Sequence, residues 1–370
     1  MNRFVFVILS SLLLFSYTSA LTQEKADASF DGVVAGAVDN DSYFLRSYSF
    51  VNLGGSYASL GASLNGTLGG GAQADFIGFL FNAKTVNYLF TYSQAKLDIN
   101  NLSGSASSYA LNYRPTVIIE YKETNGEKGY QQGKDTILGW VRLDSLDYSL
   151  GKSDKTFKNS NGKEFRVTIV EAESKLFDMM FYISEAPVSV AGNDIGSSQS
   201  KIDVTIKNYY DPTQNKQSSG CTVASTTICA STGPSSDPDS RLALAAVFFN
   251  ADASYGVDID GKIEINSGKK EVFVGFSWVG HADTNTDSGK SASASVSTNS
   301  NSNVDGNLFV TSGGFANANA RLLIHSFDAV RPTNVVWDPT IGASQGSFAI
   351  KISAPLVMMI LLSLIVTLLM

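Results

Sequence analysis

Apolar and polar residues alternate along this chain with a period of two, and that pattern limits its fold more than any other feature. In KIDVTIK, residues 201–207, the side chains of Ile202, Val204 and Ile206 fall on one side of an extended backbone. Residues 164–171 (EFRVTIVE) and 271–278 (EVFVGFSW) alternate in the same way. Successive side chains of a strand point to opposite faces, so these segments predict strands with one buried face.

Further strands are predicted wherever Val, Ile, Phe and Tyr recur between turn residues. They are expected at 74–82, 85–92, 116–123, 136–149, 175–184, 241–251, 307–311 and 322–327. Asn125-Gly126, Asn161-Gly162 and Asp260-Gly261 are typical turn sequences, and the last predicts a hairpin because both positions tolerate positive φ. No convincing amphipathic helix is found. The sequence therefore predicts an all-β fold, an antiparallel β-sandwich or two stacked β-sheet modules.

Three stretches interrupt the strand pattern. Residues 53–73 are rich in Gly, Ala and Ser, and residues 211–240 carry both cysteines among Ser, Thr, Gly and Pro. The polar, low-complexity segment 282–306 is expected to be a flexible loop. These features predict an N-terminal β-rich region at 21–210, a stapled loop at 211–240, a C-terminal β-rich region at 241–330 and a stalk with the anchor site at 331–344.

The first 20 residues have the pattern of a secretory signal peptide. Arg3 precedes an apolar run, and the small residues Thr18, Ser19 and Ala20 end it, so cleavage is expected between Ala20 and Leu21.

The C-terminal tail predicts a glycosylphosphatidylinositol (GPI) anchor. Residues 356–370 give 15 mainly apolar positions, fewer than the ~20 that a spanning helix needs. No Lys or Arg follows them, and a polar spacer with small residues precedes them. Residues 345–370 are expected to be removed, with the anchor on Gly342 or Ser344. The alternative is a single-pass tail anchor.

Processing at both ends makes the chain more acidic. It removes Arg3 and Lys351, so 25 basic residues face 34 acidic ones and the net charge is −9. Phosphate backbones attract basic surfaces, so this charge argues against nucleic acid as a partner.

The expected location is the outer leaflet of the cell surface, with shedding into the extracellular matrix as an alternative.

Two kinds of covalent modification are expected in an oxidising, secretory compartment. Cys221 and Cys229 are the only cysteines and are expected to form a disulfide. N-glycosylation sequons begin at Asn40, Asn65 and Asn101.

The sequence gives little support for catalysis. His281 and His325 are the only histidines, and both lie in strand-like segments where a structural role is expected. The chain has no G-x-S-x-G motif. Acidic pairs such as Asp144 with Asp147 and Glu171 with Glu173 are expected to be solvated charges on strand faces. No catalytic residue is therefore assigned, although a glycosidase stays open because its two carboxylates need not be close in sequence.

One string of oxygen ligands resembles the start of a calcium-binding loop. Asp283, Asn285 and Asp287 alternate as in an EF-hand. Ala294 occupies the position of the bidentate glutamate, so these residues are only a weak calcium candidate, and no cofactor is assigned.

The aromatic residues and the serine-rich run suggest two further alternatives. Trp140, Trp278, Tyr209 and Tyr210 would suit a sugar platform, although most of them are expected to serve core or strand-face packing. The SASASVS run would suit the membrane hairpin of a β-pore former, but its apolar face is mostly alanine.

The precursor plan and the acidic β ectodomain rich in Gly, Ser and Asn resemble the skeletal organic matrix proteins of corals. That resemblance implies an extracellular matrix role with contact to calcium or mineral. The expected function is a GPI-anchored glycoprotein with a structural, adhesive or matrix role, whose partners are the membrane and an extracellular protein, glycan or mineral. A membrane-tethered carbohydrate-active hydrolase is the main alternative.

Overall fold

The fold was analysed in a computed structural model. The residues it describes are 31–39, 42–52, 56–67, 72–83, 86–98, 103–159, 162–184, 188–190, 193–195, 199–216, 233–250, 255–258, 262–266, 272–285, 291–301, 309 and 320–345. These form antiparallel strands and one short 3-10 turn, which confirms the predicted all-β class. No helix within these ranges has the length and apolarity needed to span a membrane.

The strands of the N-terminal half are β1 (Asp31–Asp39), β2 (Ser42–Asn52), β3 (Ser56–Thr67), β4 (Ala72–Asn82), β5 (Asn87–Asp98), β6 (Ser103–Lys122), β7 (Thr136–Arg142), β8 (Ser149–Lys158), β9 (Glu164–Glu173) and β10 (Phe177–Ser184). The 3-10 turn covers Leu143–Ser145.

The remaining strands are β11 (Val188–Val190), β12 (Asn193–Ile195), β13 (Gln199–Lys207), β14 (Arg241–Asn250), β15 (Tyr255–Asp258), β16 (Lys262–Asn266), β17 (Val272–Ser277), β18 (His281–Asn285), β19 (Ser291–Asn301), β20 (Ala320–Val330), β21 (Asn334–Trp337) and β22 (Thr340–Gln345).

The chain divides into two compact units, one comprising residues 1–80, 91–109 and 345–370 and the other residues 81–90 and 110–344. In the first unit, β1, β2 and β3 form an antiparallel meander. A polar cluster is buried between β4 and β5 of this unit. There Asp75 Oδ1 accepts hydrogen bonds from the Tyr92 hydroxyl at 2.7 Å and the Gln94 amide at 3.1 Å.

The described part of the second unit contains two large sheets and a separate small hairpin of β11 with β12. The first sheet runs in the order β7, β6, β14, β20 and β19. The second sheet begins with the strands β8, β9, β10 and β13, in that order. The far edge of β13 pairs with two strands, β21 along one part of its length and β22 along another. From β21 the second sheet continues to β18 and β19. β22 also pairs with β17, which leads to β16 and β15.

Strand β19 joins the two sheets. Its residues 291–295 pair with β18 in the second sheet, and residues 296–301 pair with β20 in the first. A strand that changes sheets makes a corner of a sandwich and fixes how the two sheets face each other.

The core between the sheets is aromatic. Trp337 of β21 packs against His325 and Phe327 of β20, with ring centroids 4.4 and 6.2 Å apart. Phe276 of β17 packs against Tyr113 of β6 at 4.5 Å and Phe248 of β14 at 5.9 Å. Large rings from both sheets therefore fill the space between them, as the period-two pattern predicts.

The other face of the first sheet is also covered. Val117, Ile119, Val247 and Leu322 are among the residues of a second buried cluster there. The loop 123–135 lies over this cluster through Tyr130, whose ring meets Tyr121 and Phe309 edge-on. Tyr130 is held at both backbone groups: its N–H donates to Ser326 Oγ at 2.9 Å, and its carbonyl accepts from Asn299 Nδ2 at 2.8 Å.

Several predicted strands are confirmed. The segments 201–207, 164–171 and 271–278 correspond to β13, β9 and β17. The hairpin around Asp260-Gly261 is confirmed by the β15–β16 register, in which Asp258 pairs with Lys262. The expected strand at 136–149 is wrong as a single element, because β7 ends at Arg142 and the 3-10 turn separates it from β8.

Two predicted interruptions are strands. β3 lies within 53–73, and β19 and all of β18 except its first residue, His281, lie within the expected flexible loop 282–306. The hydrogen bonds of a ladder are made by the backbone, so small and polar side chains do not prevent pairing. The alternation in SASAS also places Ala294 inside while Ser293 and Ser295 are exposed.

The prediction of a stalk at 331–344 is wrong where this segment forms β21 and β22. Val335, Trp337 and Ile341 are buried, and the two strands pair with β13. The alternation of these apolar residues is typical of strands with one buried face and was not recognised in the sequence.

Candidate functional site

The second sheet carries a row of outward-facing side chains across β8, β9, β10, β13, β21, β18 and β19. Residues directly opposite each other in a ladder share a face, so the register defines the row strand by strand. This outer row consists of Ser149, Glu173, Asp178, Thr205, Val336, Asp283 and Ser293. With strands about 4.8 Å apart, it extends over about 29 Å.

The outer row is the polar side of a sheet whose other side is core. The neighbouring inner row contains Met179, Val204 and Trp337, all fully buried. Most of the outer row is exposed or half-buried. Val336, near its middle, is 38% exposed although it is apolar. The row therefore combines hydroxyls and carboxylates with an accessible apolar spot.

One end of the outer row is acidic. Burial raises the pKa of Asp178, and Lys207, whose Nζ lies 2.6 Å from Asp178 Oδ2, opposes that rise. The pKa of Glu171, beside the row, is raised by burial and by the charges of Glu173 and Asp178. The predicted acidic pair Glu171 and Glu173 thus lies on an outer strand face as expected, within a locally negative surface.

The other end of the outer row contains one calcium candidate, Asp283, and a second, Asn285, lies two residues further along β18. Asp283 is exposed on β18. The side-chain oxygen of Asn285 accepts a hydrogen bond from Ser291 Oγ at 2.9 Å, and its carbonyl accepts from the Thr333 N–H and hydroxyl. Asp287 lies outside the described residues. Among the side chains that are described, no three His, Cys, Asp or Glu are grouped to bind a metal ion.

The two histidines occupy different environments. His281 is exposed on β18. His325 is completely buried, with Trp278, Trp337, Phe276 and Tyr113 around it. Its Nδ1 lies 2.9 Å from Thr298 Oγ1, and burial lowers its pKa to about 3. His325 is therefore neutral at physiological pH and is part of the packing between the sheets.

The aromatic residues considered as a sugar platform are used in packing. Tyr209 is fully buried and Trp278 is 9% exposed. Trp140 packs against the buried cluster of the first sheet. The Tyr210 ring lies under the Arg331 guanidinium, 4.3 Å from it.

Asp144 lies in the 3-10 turn and Asp147 just after it, so neither is on a strand face, where both were expected. Asp144 receives two hydrogen bonds from Arg142, at 3.0 and 2.8 Å. The pair therefore fits the expected role of surface charge.

Two polar clusters were missed by the sequence analysis because their members are far apart in the chain. In one, the fully buried Glu120 accepts a hydrogen bond from the Ser235 N–H at 3.0 Å. Arg331 donates to the carbonyls of Ser235 and Asp237 at 2.8 and 3.0 Å. These contacts fix residues 233–240, the last part of the predicted stapled loop 211–240.

The other missed cluster surrounds Lys201. The sequence placed this residue correctly on the polar face of β13, but its side chain is only 1% exposed. No local pattern indicated this burial, because the covering residue Asp338 comes from the connection between β21 and β22.

Several predicted modification sites lie outside the described residues: Ala20 and Leu21 at the signal cleavage site, Asn40, Asn101, Cys221 and Cys229. Asn65 is in β3, opposite Phe44 of β2. Gly342 is buried in β22, opposite Gln199, and Ser344 is two residues further along the same strand.

Comparison with known proteins gives no family assignment. No protein-family model matches the chain, and no curated protein is significantly similar to it in sequence.

Proposed function

We propose that this chain is a GPI-anchored extracellular glycoprotein with an adhesive, structural or matrix role. In this proposal the outer row of the second sheet meets another extracellular molecule, a protein, glycan or mineral surface. The observation that carries the proposal is the row itself. It is a broad sheet face of hydroxyls and carboxylates, on strands held rigidly by the aromatic core behind them.

The chemistry of the row suits attachment. Carboxylates and hydroxyls bind cations and donate or accept hydrogen bonds with sugars and proteins, and an exposed apolar residue such as Val336 adds contact area. A rigid face loses little conformational entropy on binding, which favours affinity. The net charge of −9 expected after processing adds attraction for cationic partners.

The fold also bears on the anchor residue. Attachment at Gly342 would end the chain inside β22, at a residue that is buried and paired with Gln199. Attachment at Ser344 would keep two more residues of that strand. We therefore favour Ser344 as the anchor residue.

An adhesion assay with charge reversal tests the role of the outer row. Cells displaying the full chain are applied to immobilised matrix proteins, glycans and calcium carbonate crystals. Glu173 and Asp283 are exposed, so Glu173→Lys with Asp283→Lys is expected to leave the fold intact and weaken adhesion at least about tenfold, because like charges at an interface repel.

The matched control reverses two exposed acidic residues elsewhere, Glu127→Lys with Glu164→Lys. It makes the same change in net charge and is expected to adhere like the wild type. Equal loss of adhesion in both double variants, or in neither, contradicts a role for the outer row.

A further inference from the structure

Lys201 is a buried amine between two carboxylates. Its Nζ contacts Asp203 on the same strand and lies 3.1 Å from Asp338 Oδ2. The side chains of Asp203 and Asp338 are 19% and 26% exposed. The ring of Tyr182 covers the amine, with its centroid 5.1 Å from Nζ. Water therefore reaches the carboxylates but hardly reaches the amine.

This environment favours the neutral, nucleophilic form of the amine. Burial lowers the pKa of Lys201, and the charge of Asp338 only partly opposes that effect. A desolvated lysine loses its proton more readily, and the free amine attacks carbonyl carbon.

The backbone holds the two reacting groups together. Lys201 pairs with Thr340 of β22, and the Ile202 N–H donates to the Pro339 carbonyl at 2.8 Å. Asp338 immediately precedes Pro339 and is thereby fixed beside β13. Fixing two reactants in this way replaces an encounter in solution with an intramolecular step of high effective concentration.

We propose that Lys201 and Asp338 form an intramolecular amide (isopeptide) bond, with Asp203 transferring protons between them. Asp203 takes a proton from the Lys201 ammonium, and the free Nζ attacks Cγ of Asp338. The N–C bond forms and one C–O bond of Asp338 breaks. The departing oxygen leaves as water with two of the three ammonium protons, and Asp203 ends unchanged. No group is oxidised or reduced.

The bond would join β13 to the connection between β21 and β22. β22 contains the predicted anchor residue, so on a surface protein any pulling force enters through it. A covalent link there resists the separation of β22 from the sheet. The chemistry itself depends only on the Lys201 cluster and not on the proposed adhesive role.

Peptide mapping of the full chain from a eukaryotic secretory host tests this proposal. The protein is unfolded, digested with trypsin and analysed by mass spectrometry. The expected product joins the peptide containing Lys201 to the peptide containing Asp338 and is lighter than their sum by one water molecule. Separate linear peptides of full mass overturn the proposal, and so does loss of water confined to residues 201–203.

Two variants separate the covalent bond from a simple ion pair. Lys201→Arg keeps the positive charge but removes the nucleophilic amine, so the joined peptide disappears. Asp203→Asn keeps the size of the side chain but removes proton transfer, which is expected to lower the joined fraction after a fixed time by about a hundredfold. An unchanged joined fraction in Asp203→Asn overturns the role given to Asp203. If a variant does not fold, the wild-type peptide map still decides whether the bond exists.

Discussion

His325 shows how a single buried residue makes the stability of this fold depend on pH. In the folded chain its pKa is lowered to about 3 because the ring is buried among other aromatic rings. In an unfolded chain the pKa returns to about 6.5. The unfolded state therefore binds a proton between these two values while the folded state does not, so stability falls as the pH falls below about 6.5.

The first prediction follows from this difference. Between pH 7.5 and pH 5 the free energy of unfolding is expected to decrease by about 2 kcal/mol because of His325. Urea unfolding at the two pH values measures the change. In His325→Phe, most of this pH-dependent change in unfolding free energy should disappear. The stability of the variant at any one pH also differs from that of the wild type, because Thr298 loses its hydrogen-bond partner.

The control for this prediction is His281→Gln, since His281 is exposed on β18. In His281→Gln, the free energy of unfolding should change between pH 7.5 and pH 5 by as much as it does in the wild type. The account of His325 is contradicted if His325→Phe keeps the wild-type difference as well.

The loop 123–135 depends on glycines in the left-handed backbone region, which other residue types adopt less easily. Gly129 has a φ of 78°, and a Cβ added there would lie 3.1 Å from Ser326 Cβ and 3.2 Å from Ser297 Cβ. Gly126 has a similar φ of 74°, but nothing lies within 4 Å of its added Cβ. The two glycines share the backbone requirement and differ in the space around them.

The second prediction compares these two positions. Gly126→Ala is expected to cost about 1 kcal/mol of folding free energy, from the left-handed backbone alone. Gly129→Ala is expected to cost about 3 kcal/mol, because β19 and β20 must also move away from the new methyl group. Urea unfolding of both variants gives the difference. Equal costs would mean that the loop does not pack closely on β19 and β20.

The elements also show what sequence patterns reveal. KIDVTIK gave β13 and its inner and outer faces correctly, because alternation is a local property of the chain. β19 was expected to be a loop, because serine and alanine carry little hydrophobic signal. β19 forms a strand because it pairs with β18 and β20. A short stretch of sequence does not reveal such pairing.

The candidate site was less accessible to sequence reasoning than the fold. Glu173, Thr205 and Ser293 each belong to a strand whose polar face is predictable, but their common row depends on the pairing order of the strands. The burial of Lys201 depends in the same way on Asp338 and Pro339, which are distant in the chain. Strand order and register are properties of the tertiary structure.

In the whole molecule, the proposed membrane anchor and the proposed binding face belong to the same sheet. The second unit is a sandwich with an aromatic core, and β22 leads from that core toward the proposed anchor residue Ser344. An anchor at this point would hold the outer row at the cell surface. The adhesive role depends on that tether, because a protein free in the medium attaches no cell.

Release by phosphatidylinositol-specific phospholipase C measures whether a GPI anchor holds the chain at the cell surface. Cells expressing the full chain are labelled at the surface, treated with the enzyme and assayed for labelled protein in the medium. The account predicts that the enzyme releases most of the protein, while a known transmembrane protein on the same cells stays bound. Retention of the chain with the cells, under conditions that release a known GPI-anchored protein, would contradict it.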